Sequence, residues 1–136
     1  MFSRNGIKRF ALALSIFVCA LCLAGCSSSV SVSGDSRGTA IFKVHDNNIE
    51  TELSDEDTKI LADIFDGKKL YSSFSSTPSC GFSSDVSVKI GSETFCFAMD
   101  GCFTVRVGLS FFNVSKDEND IIKNILKKYG FHFPCV

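Results

Sequence analysis

Seven cysteines are the residues of this chain with the widest choice of chemistry. Three stand near the start and four in the rest of the chain: Cys19, Cys22, Cys26, Cys80, Cys96, Cys102 and Cys135. A thiol can receive a lipid, close a disulfide, bind a metal or act as a nucleophile. The segment that carries each cysteine decides its compartment and its neighbours, and therefore which of these reactions is open to it.

The first three cysteines lie in or beside a segment with the parts of a secretory signal. Basic residues come first, at Arg4, Lys8 and Arg9, and an apolar run follows from Phe10 to Leu23. A helix of about 14–16 residues is only about 21–24 Å long, whereas a bilayer core is about 30 Å thick. We therefore interpret residues 1–25 as a signal peptide that is removed. The C-x-x-C pair inside the run leaves with it and is not interpreted as a redox site.

The apolar run ends in a motif that carries more specific information. It reads Leu23-Ala24-Gly25-Cys26 and resembles the lipobox of bacterial lipoproteins, in which two small residues precede a cysteine. The resemblance implies that the Cys26 thiol receives a diacylglycerol and that cleavage makes Cys26 the first residue. Two acyl chains, of palmitate type, form a stable anchor because each buried methylene contributes about 0.8 kcal/mol. The implied location is the extracytoplasmic face of the cell membrane, which is itself the first expected partner.

Composition separates the remaining chain into a tether and one domain. Residues 26–38 are rich in serine and are expected to form a flexible tether that holds the domain about 20 Å from the membrane. Residues 39–136 have the length of a single domain. The leader holds three of the 14 basic residues and none of the 15 acidic ones, which leaves 11 basic and 15 acidic residues and a net charge of −4. We expect no nucleic-acid partner, because nucleic-acid binding needs a basic patch.

Two segments of the domain carry strong helix signals. The spacing predicts a helix over residues 54–66, with Ser54 as its N-cap and an acidic first turn that favours the helix dipole. A second helix begins at Ser115, where Ser115 and Glu118 form an S-x-x-E capping box. Each segment repeats its apolar residues at helical spacing, which gives it one apolar face.

The remaining apolar residues recur with the period of β-strands. Residues 39–44 predict one strand, and the segment from Asp85 to Val114 predicts a meander of four. The apolar faces of the meander agree only if its middle loop has three residues, which places Phe97 opposite Val105. The chain is therefore predicted to be an α+β domain of two layers, with an antiparallel meander of four to five strands and two amphipathic helices on one face.

Four cysteines remain for the folded domain, namely Cys80, Cys96, Cys102 and Cys135. An even number in an exported domain favours disulfides, and three pairings are open. We favour Cys80–Cys102 with Cys96–Cys135, because a bond between Cys96 and Cys102 within one hairpin is geometrically awkward. A zinc site with His45 or His132 is disfavoured because the close ligand pairs of zinc sites are absent. No metal site or cofactor is expected.

The long connection at residues 67–84 is the expected binding surface, with Tyr71, Phe74 and Phe82 as its aromatic residues. An edge strand over part of this connection is the alternative interpretation. No glycine-rich phosphate loop or serine-nucleophile motif occurs. We therefore expect a membrane-tethered, non-enzymatic binding module for an extracytoplasmic protein, peptide or small ligand. The alternative is a metal-handling or thiol-dependent accessory enzyme that uses the domain's cysteines. Three short segments also resemble small bacterial proteins without an assigned role, which implies no activity: Cys80-Gly81-Phe82, Asp100-Gly101-Cys102 and the stretch from Tyr129 to Val136.

Overall fold

Segments with alternating apolar residues form strands, and the two capped segments form helices. The computed structural model describes residues 28–44, 47–72, 82–98 and 102–131. The helices are α1 (Asp55–Phe65) and α2 (Lys116–Lys128). The strands are β1 (Gly38–Val44), β2 (Asn47–Glu52), β3 (Tyr71–Ser72), β4 (Phe82–Ile90), β5 (Glu93–Ala98), β6 (Thr104–Val107) and β7 (Ser110–Asn113).

The seven strands form one antiparallel sheet in the order β2-β1-β4-β5-β6-β7-β3. The α+β class and the antiparallel sheet agree with the prediction, whereas the predicted count of four to five strands is wrong. The two additional strands, β2 and β3, lie at the edges of the sheet, and β3 falls within the connection 67–84, for which an edge strand is the alternative interpretation. Their residues are almost all exposed, so burial imposed no apolar alternation on them. They are held by backbone pairing to one neighbour each.

The register of the meander is as predicted where the strands pair. Val88 lies opposite Phe95, and Phe97 lies opposite Val105. The register that a three-residue loop predicts after β5 is therefore confirmed, while residues 99–101 themselves lie outside the described residues. Gly91 and Gly108 turn the two tight hairpins with φ of 61° and 56°, values that glycine adopts without the steric cost of a side chain. The pairing of β4 with β5 shifts between Phe82 and Ser87, so the ladder is irregular there.

The helix caps form as the sequence predicts. The Ser54 hydroxyl accepts a hydrogen bond from the backbone N–H of Asp57 at 3.1 Å. At α2, Ser115 and Glu118 make both bonds of the capping box. Each cap satisfies N–H groups that have no partner within the helix. The first helix covers residues 55–65 rather than 54–66 because its two flanking residues are caps with extended backbones.

Both helices pack on one face of the sheet around a single aromatic centre. Phe65 of α1 is fully buried, and its ring centroid lies 4.6 Å from that of Phe95 and 5.6 Å from that of Phe112. Ile122 and Leu126 of α2 belong to the same buried cluster. The domain therefore has two layers, and no helix of the described ranges covers the opposite side of the sheet, which we call the open face.

The expected serine-rich tether at residues 26–38 is wrong from Ser28 onward. The backbone N–H of Val30 donates to the Lys68 carbonyl at 2.9 Å, and the N–H of Leu70 donates to the Ser28 carbonyl at 2.9 Å. Val30 is only 5% exposed and belongs to the core cluster. Backbone pairing with residues 67–70 and one buried valine outweigh the polar composition, so this segment is part of the domain.

Candidate functional site

The open face of the sheet carries one continuous row of side chains, each on a neighbouring strand. Strand pairing aligns Glu50, Ile41, Ser87, Cys96, Arg106, Phe111 and Tyr71 in that order across the sheet. Side chains directly opposite each other on one face of a sheet lie within contact distance. The row therefore places a thiol opposite a guanidinium group and ends in two aromatic rings. Its outer members Glu50 and Tyr71 are exposed, whereas Ser87 and Phe111 are buried, so this face is accessible only in part.

Cys96 lies in the middle of this row, on the face that the alternation of β5 assigns to it. It is half-buried and is a free cysteine. The expected bond between Cys96 and Cys135 is therefore wrong. Cys102 is disulfide-bonded, while Cys80 and Cys135 lie outside the described residues. The spacing of cysteines in the sequence carries no information about which pairs meet in space, and this is why the pairing was not predictable.

We expect the two described cysteines to react differently with iodoacetamide. In denaturant without reductant, Cys96 should be fully alkylated, and Cys102 should be alkylated only after reduction, because a disulfide has no thiolate to act as a nucleophile. Peptide mass spectrometry measures both sites at once. A Cys96→Ser variant is the control, since it should lose the first label without changing the second. A Cys96 that resists alkylation until reductant is added would contradict the assignment.

Of the expected binding loop at residues 67–84, the structure describes residues 67–72 and the backbone of residues 82–84. Residues 67–70 pair with the N-terminal segment, and Tyr71 begins β3, where its ring stacks on Phe111 with a centroid distance of 5.7 Å. The Lys69 ammonium lies 5.6 Å from the centre of the Tyr71 ring. Phe82 is the first residue of β4 and pairs with Ala98, and Phe74 lies outside the described residues.

A cavity of about 250 Å³ lies at the end of the sheet beside this loop. It is lined by Ser29, Val30, Ser31, Leu70, Glu93 and Val107. Its volume is just below the usual range of small-molecule sites, which begins at about 300 Å³. The lining offers one carboxylate, two hydroxyl groups and apolar walls, and this set can hold a small polar group without supplying a nucleophile–base pair.

Two carboxylates with lowered pKa values connect the helices. Burial raises the pKa of Asp57. Hydrogen bonds from Lys128, from the Tyr129 hydroxyl and from Ser54 lower that pKa by more than burial raises it, so the net shift is downward. The Asp57 oxygens lie 2.8 Å from the Lys128 ammonium and 2.8 Å from the Tyr129 hydroxyl. That hydroxyl also accepts the backbone N–H of Ser54 at 2.9 Å. This network fastens the start of α1 to the end of α2.

Glu118 makes the corresponding connection at the other end of the helix pair. Burial raises the pKa of Glu118, while the bonds from Lys68 and Ser115 lower it by more. Lys68 lies 2.7 Å and 2.8 Å from its two carboxylate oxygens. Both carboxylates thus form ion pairs and hydrogen bonds between the ends of the two helices, and their lowered pKa values are opposite to the raised pKa of a general acid at neutral pH.

Comparisons with known proteins found no relative of this chain. No family model, no curated protein and no solved structure matches the chain significantly. Within the described residues, no three His, Cys, Asp or Glu side chains are grouped so as to hold a metal ion. No helix in the described part of the chain is long and apolar enough to cross a membrane. The lipobox residues Leu23, Ala24, Gly25 and Cys26 lie outside the described ranges.

Proposed function

We propose that this protein is a bacterial lipoprotein whose small α+β domain is anchored through Cys26 at the extracytoplasmic face of the cell membrane. The observation that carries the proposal is the sequence Leu23-Ala24-Gly25-Cys26 at the end of a short apolar run. The position of the motif, after a basic segment and a short apolar run, supports the proposal further.

The domain itself is proposed to be a non-enzymatic binding module for an extracytoplasmic protein, peptide or small ligand. Two features support binding over catalysis. The carboxylates with shifted pKa values, Asp57 and Glu118, hold the two helices together. The face of the sheet opposite the helices presents the exposed Tyr71 and the half-buried Arg106, and such residue types are enriched at recognition surfaces.

The anchor is tested by replacing Cys26 with alanine in a bacterial host fed radiolabelled palmitate. We expect the variant to lose all lipid label and to keep its leader, because it lacks the thiol that forms the lipid bond. Gel autoradiography measures the label, and mass spectrometry of the N-terminal peptide measures the cleavage and the diacylglycerol.

The matched control is Cys96→Ala, which removes a cysteine that is also free but lies inside the domain. This variant should be labelled and processed like the wild type. Label that persists in Cys26→Ala would show that the lipid is attached elsewhere and would overturn the proposal.

A further inference from the structure

We infer that the domain rests directly on the lipid surface and inserts the Leu109 side chain, at the tip of the β6–β7 hairpin, into the membrane interface. This inference rests on the proposed lipid anchor at Cys26. The partner is the membrane that holds the anchor.

The first step is the length of chain between the anchor and the domain. The Ser28 carbonyl is fixed by a hydrogen bond from Leu70. Two residues span at most about 7 Å, so a lipid on Cys26 holds Ser28 close to the membrane surface. A domain on a long serine-rich tether would be free to turn in any direction, whereas this one is restrained next to its attachment point.

The second step is the direction in which the fixed segment runs. Ser29 pairs with Lys69 in antiparallel fashion, so the chain from Val30 back to Ser28 follows residues 68–70 toward β3. In β3, Ser72 pairs with Ser110, the residue directly after Leu109. Going back along this segment toward the anchor therefore leads toward the β6–β7 tip. At about 3.4 Å per residue and about 5 Å between strands, Leu109 lies within about 20 Å of Ser28.

The third step is the chemistry of this end. Leu109 is 75% exposed, the largest value among the exposed large apolar side chains of the described residues. Tyr71 and Lys69 lie on the neighbouring strand segment and contact each other. An amphipathic ring and a lysine are suited to the headgroup region. Glu93 also lies at this end and offsets the charge of Lys69, so apolar insertion and not attraction to anionic lipid should dominate.

The chain contains no tryptophan, so one introduced tryptophan reports only on its own position. The test compares Leu109→Trp with the control Ile49→Trp. Ile49 is 48% exposed and lies on β2, at the opposite edge of the sheet. Each lipidated protein is purified in detergent and reconstituted into phosphatidylcholine vesicles, with or without brominated acyl chains, which quench tryptophan inside the bilayer.

We expect the Leu109→Trp protein to emit at shorter wavelength than the Ile49→Trp protein and to be quenched at least about twofold more, because an interfacial tryptophan reaches the upper acyl chains. Replacing part of the phosphatidylcholine by phosphatidylglycerol should change this little. Circular dichroism checks that both variants fold. If the Leu109→Trp protein does not fold, Tyr71→Trp provides a second tryptophan probe at the same end of the sheet.

The outcomes separate the two proposals. Equal quenching of the Leu109→Trp and Ile49→Trp variants, on proteins whose N-terminal peptide carries diacylglycerol, would overturn the inference and leave the anchor standing. An N-terminal peptide without lipid would overturn both.

Discussion

Replacing Phe65 with alanine is expected to lower the free energy of unfolding by about 3–5 kcal/mol, the usual cost of removing a buried aromatic ring. Phe65 is fully buried at the centre of the core. Its ring contacts three other phenylalanine rings, those of Phe95, Phe97 and Phe112. The contacts join α1 to two strands of the sheet, β5 and β7, so the cavity left by alanine would lie where the two layers meet.

Urea denaturation followed by circular dichroism measures this effect. The matched control is Phe103→Ala, which removes the same ring from a position that is 41% exposed and should cost about 1 kcal/mol or less. A domain of this size has a total stability of roughly 5–15 kcal/mol, so Phe65→Ala could leave too little structure to measure. Phe65→Leu then serves as a milder change, with an expected loss of about 1–2 kcal/mol. Equal losses for Phe65→Ala and Phe103→Ala would contradict the assignment of Phe65 to the centre of the core.

Replacing Asp57 with alanine is expected to cost about 2–3 kcal/mol at neutral pH, because hydrogen bonds to charged groups contribute about 1.5–3 kcal/mol each. Asp57 is 5% exposed and accepts bonds from Tyr129 and Lys128. The Lys128 side chain is mostly exposed, so its share is small. Most of the loss should come from the Tyr129 hydroxyl, which would lose its acceptor.

A double-mutant cycle with Tyr129→Phe measures that share. The two changes should be strongly non-additive, because each removes the same hydrogen bond. Lys128→Ala is the control and should cost less than about 1 kcal/mol. Additive losses in the Asp57–Tyr129 cycle would show that the bond between them does not stabilise the fold.

The same network makes a prediction about acid. The folded state lowers the pKa of Asp57 below its ordinary value of 3.8 and that of Glu118 below 4.5. A lowered folded-state pKa stabilises the protein above the unfolded pKa, and this contribution is lost as pH falls through the folded pKa. The difference in stability between wild type and Asp57→Ala should therefore be constant near neutral pH and shrink below about pH 4. A difference that does not change down to acid unfolding would contradict the lowered pKa.

The sequence predicted those elements that bury an apolar face or carry a cap. Phe65 and its helix follow from apolar spacing after Ser54, and the opposition of Phe97 and Val105 follows from the need for one apolar face. Strand β2 was missed because Ile49 is its one large apolar residue and is itself exposed. Its stability comes from backbone pairing with β1, which any sequence able to extend can make.

The order of residues 28–32 was missed for a related reason. Serines are compatible with both a tether and a paired strand, and only the burial of Val30 distinguishes the two. For the cysteines, alternation along β5 places Cys96 on the face opposite Phe95, because that property is local. Which thiols meet is a long-range property of the fold. The spacing of the cysteines in the sequence therefore could not predict that Cys96 is free.

The strand order has a consequence for how the chain reaches its fold. Residues 38–72 supply β1, β2 and β3, which flank both sides of the four strands made by residues 82–113. The segment 38–72 by itself holds one hairpin and one helix, and their apolar faces have no sheet to cover until β4–β7 exist. Pairings between such distant residues form slowly because closing a long loop costs entropy before contacts repay it. A chain made from its N-terminus would thus stay unfolded until the residues of β4–β7 were available.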